Sequence, residues 1–119
     1  MSDWKNFTLE EFACRCGCSE NQIEPYFVDL LQKLRTAYGS PIRVNSGWRC
    51  RAHDTAIGGK GNHVTGRAAD IYIPRTNVRD FLSHVFALEI PGVGVKAHGP
   101  ETGRMIHLDD IRPRFWTYD

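Results

Sequence analysis

The stretch GNHVTGRAADIYI, residues 61–73, joins a glycine-flanked loop to a predicted strand. Its second half, AADIYI at 68–73, contains β-branched and aromatic residues and stops at Pro74, which is typical of a strand. His63 lies in the loop and Asp70 near the start of the strand. A histidine and an aspartate so placed are two suitable ligands for a metal ion, but an ordinary turn before an ordinary strand has the same pattern. The stretch by itself leaves both interpretations open.

Helix signals occur mainly in the first half of the chain. Thr8 and Glu11 have the spacing of a capping box, so a short helix should begin there. A longer helix should start at Pro25, end at about Tyr38 and be capped by Gly39. One or two helical turns are predicted over residues 51–57. Thr76 or Asn77 should cap a further helix, and the members of its predicted apolar face are Val78, Phe81, Leu82, Val85 and Phe86.

Strands are predicted over 42–47, 68–73, 92–97 and 104–109. Because most helices precede most strands, with one helix between strands, the order of elements favours a particular class. We expect an α+β fold with a small, mostly antiparallel sheet flanked by helices.

Length and charge restrict the function further. With 119 residues, the chain should form a single domain, residues 1–119. The formal net charge is +1, which gives no electrostatic signature of nucleic-acid binding. No apolar run is long enough to predict a membrane span. The first residues, MSDWKNFTLEEF, lack the pattern of a secretory signal, so synthesis in the cytoplasm is expected, and we expect a monomer.

Four cysteines form a separate group: Cys14, Cys16 and Cys18 in CRCGC, and Cys50 after SGWR. Two cysteines that are two residues apart are too close for a relaxed disulfide. A disulfide between Cys14 and Cys18, or between Cys50 and any of the other three, is compatible with disulfide geometry. Four thiolates also suit a structural zinc ion, although this is not the usual C-x-x-C arrangement. Free thiols in a reducing compartment are the third interpretation. The spacing alone does not choose among them.

A third candidate ligand, His107, lies in RMIHLDD. Two histidines and one carboxylate are a common ligand set for catalytic zinc, which leaves a further position open. In an extended strand, alternate side chains share a face. Met105, His107 and Asp109 should therefore face the site, while Ile106 and Leu108 face the core. Asp109 is then placed either to take a proton from the attacking water or to orient a ligand.

The segments SGWRC, GNHVTGRAADIYI and MIHLDD together resemble the zinc D-alanyl-D-alanine carboxypeptidase family. This family belongs to a superfamily that also holds lysostaphin-type endopeptidases and the hedgehog signalling domain. Its pattern is S-G-[YW]-R, then S-x-H-x-x-G-x-A-x-D, then a strand with H-x-D. The resemblance extends over nearly the whole chain, because EFACRCGC and DLLQKLR are also similar to bacterial and phage members.

The resemblance implies roles for individual residues. His63, Asp70 and His107 match the zinc ligands, and one zinc ion per chain is expected. Arg49 matches an arginine that contacts the substrate or the developing oxyanion, a role that suits its permanent charge and bidentate geometry. The alternative for Arg49 is a surface ion pair. Ser46, the first residue of the same motif, would shape the turn or touch substrate.

Two positions depart from the family pattern. Gly61 stands where the family usually has serine, two residues before the first histidine. Arg104 stands where some branches carry an acidic general base, three residues before the last histidine, and arginine cannot accept a proton. The resemblance therefore implies that another carboxylate is the base. We assign it to Asp109, with Glu101 as the second choice. His53 matches a non-ligand position of the family, and His84 is expected to be solvated. His98 is expected on a surface loop, and the alternative is that it lines the cleft or assists a proton transfer.

The function implied is a zinc-dependent peptidoglycan peptidase, either a D,D-carboxypeptidase or an endopeptidase. Its substrate would be a stem or cross-link peptide cut at or near a D-amino acid. A phage-type release route would bring such an enzyme to the cell wall without its own export signal. The alternative is a catalytically silent zinc module that binds peptidoglycan, and Arg104 is the residue that favours it.

Overall fold

Five strands form one sheet in the computed structural model, which describes residues 4–18 and 20–119. The strands are β1 (Arg43–Ser46), β2 (Ala68–Pro74), β3 (Gly92–Lys96), β4 (Gly103–Asp109) and β5 (Arg114–Tyr118). Their spatial order is β1-β2-β4-β3-β5. All neighbours pair antiparallel except β3 and β5, which are parallel. The expected α+β fold with a mostly antiparallel sheet is confirmed.

Three α-helices accompany this sheet in the described residues: α1 (Pro25–Tyr38), α2 (Arg51–Ala56) and α3 (Val78–Ala87). Single 3₁₀ turns span Leu9–Phe12, His63–Thr65 and Arg75–Asn77. Within the described residues, no helix is both long enough and apolar enough to cross a bilayer.

The helix α1 begins and ends where the sequence predicts. Pro25 occupies its first turn, where a missing N–H costs nothing, and Gly39 caps its end in the left-handed conformation with φ of 82°. Its buried side chains are Phe27, Val28, Leu31, Leu34 and Tyr38. This apolar face joins the core against the sheet.

The sheet has a core face and a site face because side chains alternate along each strand. Ile71 and Ile73 of β2 and Ile106 and Leu108 of β4 are fully buried and belong to the core that α1 and α3 cover. The opposite face of these two strands carries Asp70, Tyr72, Met105 and His107. The predicted division of residues 105–108 between the two faces is thus confirmed.

The short helix predicted after Thr8 is present as one 3₁₀ turn, and the Thr8 N–H donates to Glu11 Oε2 at 2.7 Å as in the predicted capping box. Two other local predictions need correction. Asn77 precedes α3 but its side chain caps nothing; it donates to the Tyr38 hydroxyl at 2.9 Å instead. Phe86, predicted on the apolar face, is 51% exposed and lies outside the core, with its ring centre 5.8 Å from that of Phe115, which is also exposed.

The strand β5 was not predicted. It lies at the sheet edge beside β3, and its alternate residues Arg114, Trp116 and Tyr118 are half-buried while Phe115 and Thr117 are exposed. The strand thereby extends the site face beyond β3.

The loop after β1 ties the N-terminal segment to the rest of the fold. The Trp48 N–H donates to the Phe12 carbonyl at 2.8 Å, and the Trp48 indole N–H donates to the Val64 carbonyl at 3.0 Å. Gly47 lies so close to Phe12 that a Cβ on residue 47 would be 2.6 Å from the Phe12 Cα. The approach of these two backbones leaves room only for glycine.

Replacing Gly47 with alanine should therefore destabilise the fold by about 1–3 kcal/mol, because two backbone segments would have to separate. Gly99→Ala is the matched control, since the nearest neighbour of its Cβ would be 3.4 Å away. The free energy of unfolding, measured by urea denaturation, should fall for the first variant and change little for the second. Equal stability of the two variants would contradict this account of residue 47.

Candidate metal centre

Three side chains from different parts of the chain meet on the site face. In the antiparallel pairing of β2 with β4, Asp70 lies directly opposite His107. His63 reaches the same point from the 3₁₀ turn His63–Thr65. The His107 Nδ1 is 3.1 Å from Asp70 Oδ1, and the His63 Nε2 is 3.4 Å from Asp70 Oδ2. One nitrogen or oxygen of each residue lies within 4.8 Å of the others, which is close enough to share one cation.

A backbone carbonyl orients the His63 ring. The His63 Nδ1 lies 2.8 Å from the Gly47 carbonyl oxygen, so that nitrogen carries the proton and donates it. The other ring nitrogen, Nε2, faces Asp70. The side chain of His63 is buried. In metal-ligating histidines, the ring nitrogen that does not bind the metal makes such a hydrogen bond, and this fixes the tautomer.

A carboxylate orients the His107 ring in the corresponding way. The His107 Nε2 donates to Asp109 Oδ2 at 2.7 Å, leaving Nδ1 towards Asp70. Asp109 is 1% exposed, and its second oxygen accepts the Ile111 N–H at 3.0 Å. Burial opposes the ionisation of Asp109, but these hydrogen bonds outweigh it and lower its pKa. Asp109 therefore contacts a candidate ligand. This contact agrees with the second role predicted for Asp109, which was to orient a ligand.

His63, Asp70 and His107 are called the trio below. The protonation behaviour of the trio favours a bound cation. Burial opposes ionisation of Asp70, yet the hydrogen bonds from His107 and His63 prevail and hold the pKa of this carboxyl well below its usual range. Burial would lower the pKa of His107, but its contacts with Asp109 and Asp70 raise it above the ordinary value. The carboxylates thus favour a positive charge between them, which a metal ion supplies in place of a proton.

Arg49 lies beside the trio, and each of the three nitrogens of its guanidinium donates one hydrogen bond. Its Nη2 donates to Asp70 Oδ2 at 3.1 Å, its Nη1 to Asp54 Oδ1 at 3.0 Å, and its Nε to Ser46 Oγ at 3.0 Å. Its side chain is only 12% exposed, so the alternative of a surface ion pair does not describe it. Ser46 accepts this last hydrogen bond, which agrees with a role in placing Arg49.

Asp54 was missed in the sequence. It is 4% exposed, and besides Arg49 it accepts the Gly61 N–H at 2.9 Å. Gly61 has φ of 92°, a conformation that serine at this position would adopt only under strain. Glycine at position 61, where the family usually has serine, therefore suits the local backbone conformation. An acidic residue within the short helix α2 gave no sign of this contact.

The trio lies at one side of an open cleft of about 250 Å³. Trp116 and Tyr118 of β5 form the wall that the sequence did not predict, and the Trp116 ring lies 5.2 Å from the His107 ring, centre to centre. Burial and the nearby Asp70 carboxylate raise the pKa of Tyr118 to about 12, so its hydroxyl remains a hydrogen-bond donor. The residues lining the cleft are Arg49, Gly59, Lys60, Asn62, His63, Asp70, His107, Trp116 and Tyr118.

Glu101, the second choice for the general base, and Arg104, which stands at the base position of related branches, lie away from this cleft. The Glu101 side chain is 94% exposed and pairs with Arg75 at 3.4 Å. Arg104, at the far end of β4 from His107, donates to the carbonyls of Pro100 and Gly103, both at 2.8 Å. Neither residue lines the cleft.

The three remaining histidines have no part in the trio. His98 is exposed, with Nε2 3.7 Å from Asp119 Oδ1. His84 lies 3.6 Å from Asp80 on α3, and His53 is partly exposed on α2.

A carboxylate between two oriented imidazoles, open to a cleft, is a donor set that fits zinc and defines a metal centre of the hydrolase type. The chemistry of the donors therefore agrees with the cofactor expected from the sequence. Residues 5–109 match the family described as Peptidase M15, and the chain belongs to this family of zinc-dependent metallopeptidases. No curated protein matches the chain significantly. His63, Asp70 and His107 are the residues that could bind the metal.

Exchanging Asp109 for asparagine should weaken zinc binding about 10–100-fold, because His107 would lose the carboxylate that orients it and increases its basicity. Asp110→Asn is the matched control, since Asp110 pairs with Arg67 at 2.7 Å and does not contact His107. Competition titrations with a chelator would measure both affinities. Unchanged zinc affinity in the Asp109 variant would refute the orienting role.

Proposed function

We propose that this chain hydrolyses a peptide bond at or near a D-amino acid in the cell-wall peptide of bacteria. The observation that carries the proposal is the trio of His63, Asp70 and His107 at an open cleft with Arg49 beside it. Membership of the Peptidase M15 family supports a peptide as substrate. The resemblance of the three motifs to zinc D-alanyl-D-alanine carboxypeptidases supports the cell-wall peptide in particular.

The residues of the cleft have separate tasks in this proposal. Zinc, when bound by the trio, supplies a Lewis acid that polarises the scissile carbonyl and makes water more acidic. Arg49 and Lys60 provide positive charge for a substrate carboxylate or for the oxyanion that develops during attack. Tyr118 offers a protonated hydroxyl as a further donor.

The fixed position of Arg49 supports its part in this scheme. Asp54 and Ser46 hold the guanidinium from the side, so it needs little rearrangement when a substrate enters. Preorganised donors of this kind stabilise developing charge more effectively than donors that must first be ordered. A terminal carboxylate bound here would favour carboxypeptidase action, whereas a peptide extending past the cleft would be cut as by an endopeptidase.

The assignment of Asp109 as general base stays a prediction. Its burial and its bond to His107 support instead a positioning role exerted through that ring. The two roles differ in a measurable way at saturating zinc. A lost base lowers kcat and removes the acidic limb of the pH–rate profile, whereas a lost positioning contact lowers zinc affinity first.

A catalytically silent module that binds peptidoglycan is the alternative function, and Arg104 at a base position of related branches is the observation that favours it. Such a module would keep zinc and bind muropeptides without releasing a product. Turnover therefore separates the two functions.

Replacing Arg49 with lysine should lower kcat/KM by about 10²-fold, because one amine cannot reproduce the fixed, forked contacts of the guanidinium. Arg51→Lys is the matched control, since Arg51 is exposed and does not line the cleft. Steady-state kinetics on a purified muropeptide, with zinc content measured in parallel, would test this. Full activity of the Arg49 variant would argue against the assigned role.

The central test is digestion of purified peptidoglycan by the zinc-loaded protein, with His63→Ala as the inactive variant. New muropeptides should appear with the parent protein and be absent with the variant, and their masses identify the bond that is cut. His84→Ala, which alters a histidine outside the trio, should retain activity. Zinc binding without any product from the parent protein would contradict the peptidase and favour the silent module.

A further inference from the structure

The four cysteines converge on one point of the surface, although they belong to two distant segments. Their sulfur atoms all lie within 4.8 Å of one another. The Cys14 and Cys16 sulfurs are 3.4 Å apart, and those of Cys16 and Cys50 are 3.6 Å apart. Gly17, with φ of 97°, lets the chain turn between Cys16 and Cys18, so that all three thiols of CRCGC face Cys50.

These distances match a metal site better than a disulfide. A disulfide requires sulfurs about 2.05 Å apart, and all four cysteines are free thiols in this structure. In a tetrahedral zinc site with bonds of about 2.3 Å, neighbouring thiolates are about 3.8 Å apart. The observed separations are close to that value for a cluster formed from two segments.

Backbone donors around the cluster also favour thiolates. The Cys50 N–H donates to the Cys14 sulfur at 3.4 Å, and the His53 N–H donates to the Cys50 sulfur at 3.4 Å. The Glu20 N–H donates to the Cys18 sulfur at 3.5 Å. Three of the four sulfurs thus accept a backbone hydrogen bond. Such bonds stabilise the negative charge of metal-ligating thiolates from outside the coordination sphere.

We propose that Cys14, Cys16, Cys18 and Cys50 bind a second zinc ion with a purely structural role. Four thiolate ligands leave no open position for a substrate, which is the pattern of structural rather than catalytic zinc. The site would join the segment around residues 13–18, which has no helix or strand, to the start of α2.

The proposed zinc would also support the cleft. Cys50 follows Arg49 directly and caps the N-terminus of α2, in which Asp54 lies. The same region is connected to the N-terminal segment by the hydrogen bond from Trp48 to Phe12. A metal cross-link at Cys50 would therefore hold the loop of Arg49 from outside the cleft, since none of the four cysteines lines it.

Metal content tests this proposal independently of peptidase activity. Protein purified without chelator and analysed by elemental mass spectrometry should contain two zinc ions per chain. His63→Ala should retain one, at the cysteines, and a Cys16→Ser/Cys50→Ser double variant should retain one, at the trio. Failure of the trio to bind zinc would remove the proposed function but leave the cysteine-bound ion in place. One zinc in the parent protein and none in His63→Ala would overturn the proposal.

A second measurement covers the case in which the double variant does not fold. Cobalt substituted into His63→Ala should give the near-ultraviolet absorption of thiolate-to-cobalt charge transfer, because the sulfur ligands remain. Absence of this absorption would refute the site. Disulfides found by mass spectrometry after alkylation without reduction would also refute it. Removal of the metal from His63→Ala by a chelator should lower Tm, because the metal contributes to folding free energy.

Discussion

The antiparallel register of β2 and β4 is the constraint on which the site depends. It places Asp70 opposite His107 on one face and Ile71 opposite Ile106 on the other. Because side chains alternate with a period of two, a slip of β4 by one residue would turn His107 towards the core and Ile106 towards the cleft. The buried isoleucines make such a slip costly, so the packing of the core fixes the relative position of two candidate metal ligands that are 37 residues apart.

The third candidate ligand, His63, depends on the loop that follows β1. Gly47 supplies the carbonyl that orients His63, while Trp48 anchors the turn containing His63 through the Val64 carbonyl. Ser46 and Arg49 complete the same segment and contact each other. The motif SGWR thus has a structural reason at each of its four positions, and only Arg49 among them lines the cleft. Residues of a functional motif can therefore be retained for placing a ligand as much as for contacting a substrate.

Much of this arrangement follows from local sequence patterns, and the rest depends on long-range pairing. The period of two in residues 105–109 is enough to place His107 and Asp109 on one face, and Pro25 and Gly39 are enough to bound α1. The strand β5 was missed although RFWTY alternates in burial, because it is short, follows Pro113 and gains its stability from parallel pairing with β3. Trp116 and Tyr118 were missed with it. Asp54 was missed because an acidic residue on a short helix shows its partner only when the fold brings Arg49 to it.

The distribution of charge explains why the site favours a cation. Asp54, Asp70 and Asp109 are carboxylates with little or partial exposure, and Arg49 can neutralise only the first two in part. Arg114 is 3.9 Å from Asp109, too far for a strong hydrogen bond. Buried carboxylates are stable only when paired, so the group carries an excess of negative charge that the nearby arginines balance only in part. A divalent ion bound by His63, Asp70 and His107 would offset that excess, and Arg49 and Lys60 would then give the cleft a positive potential.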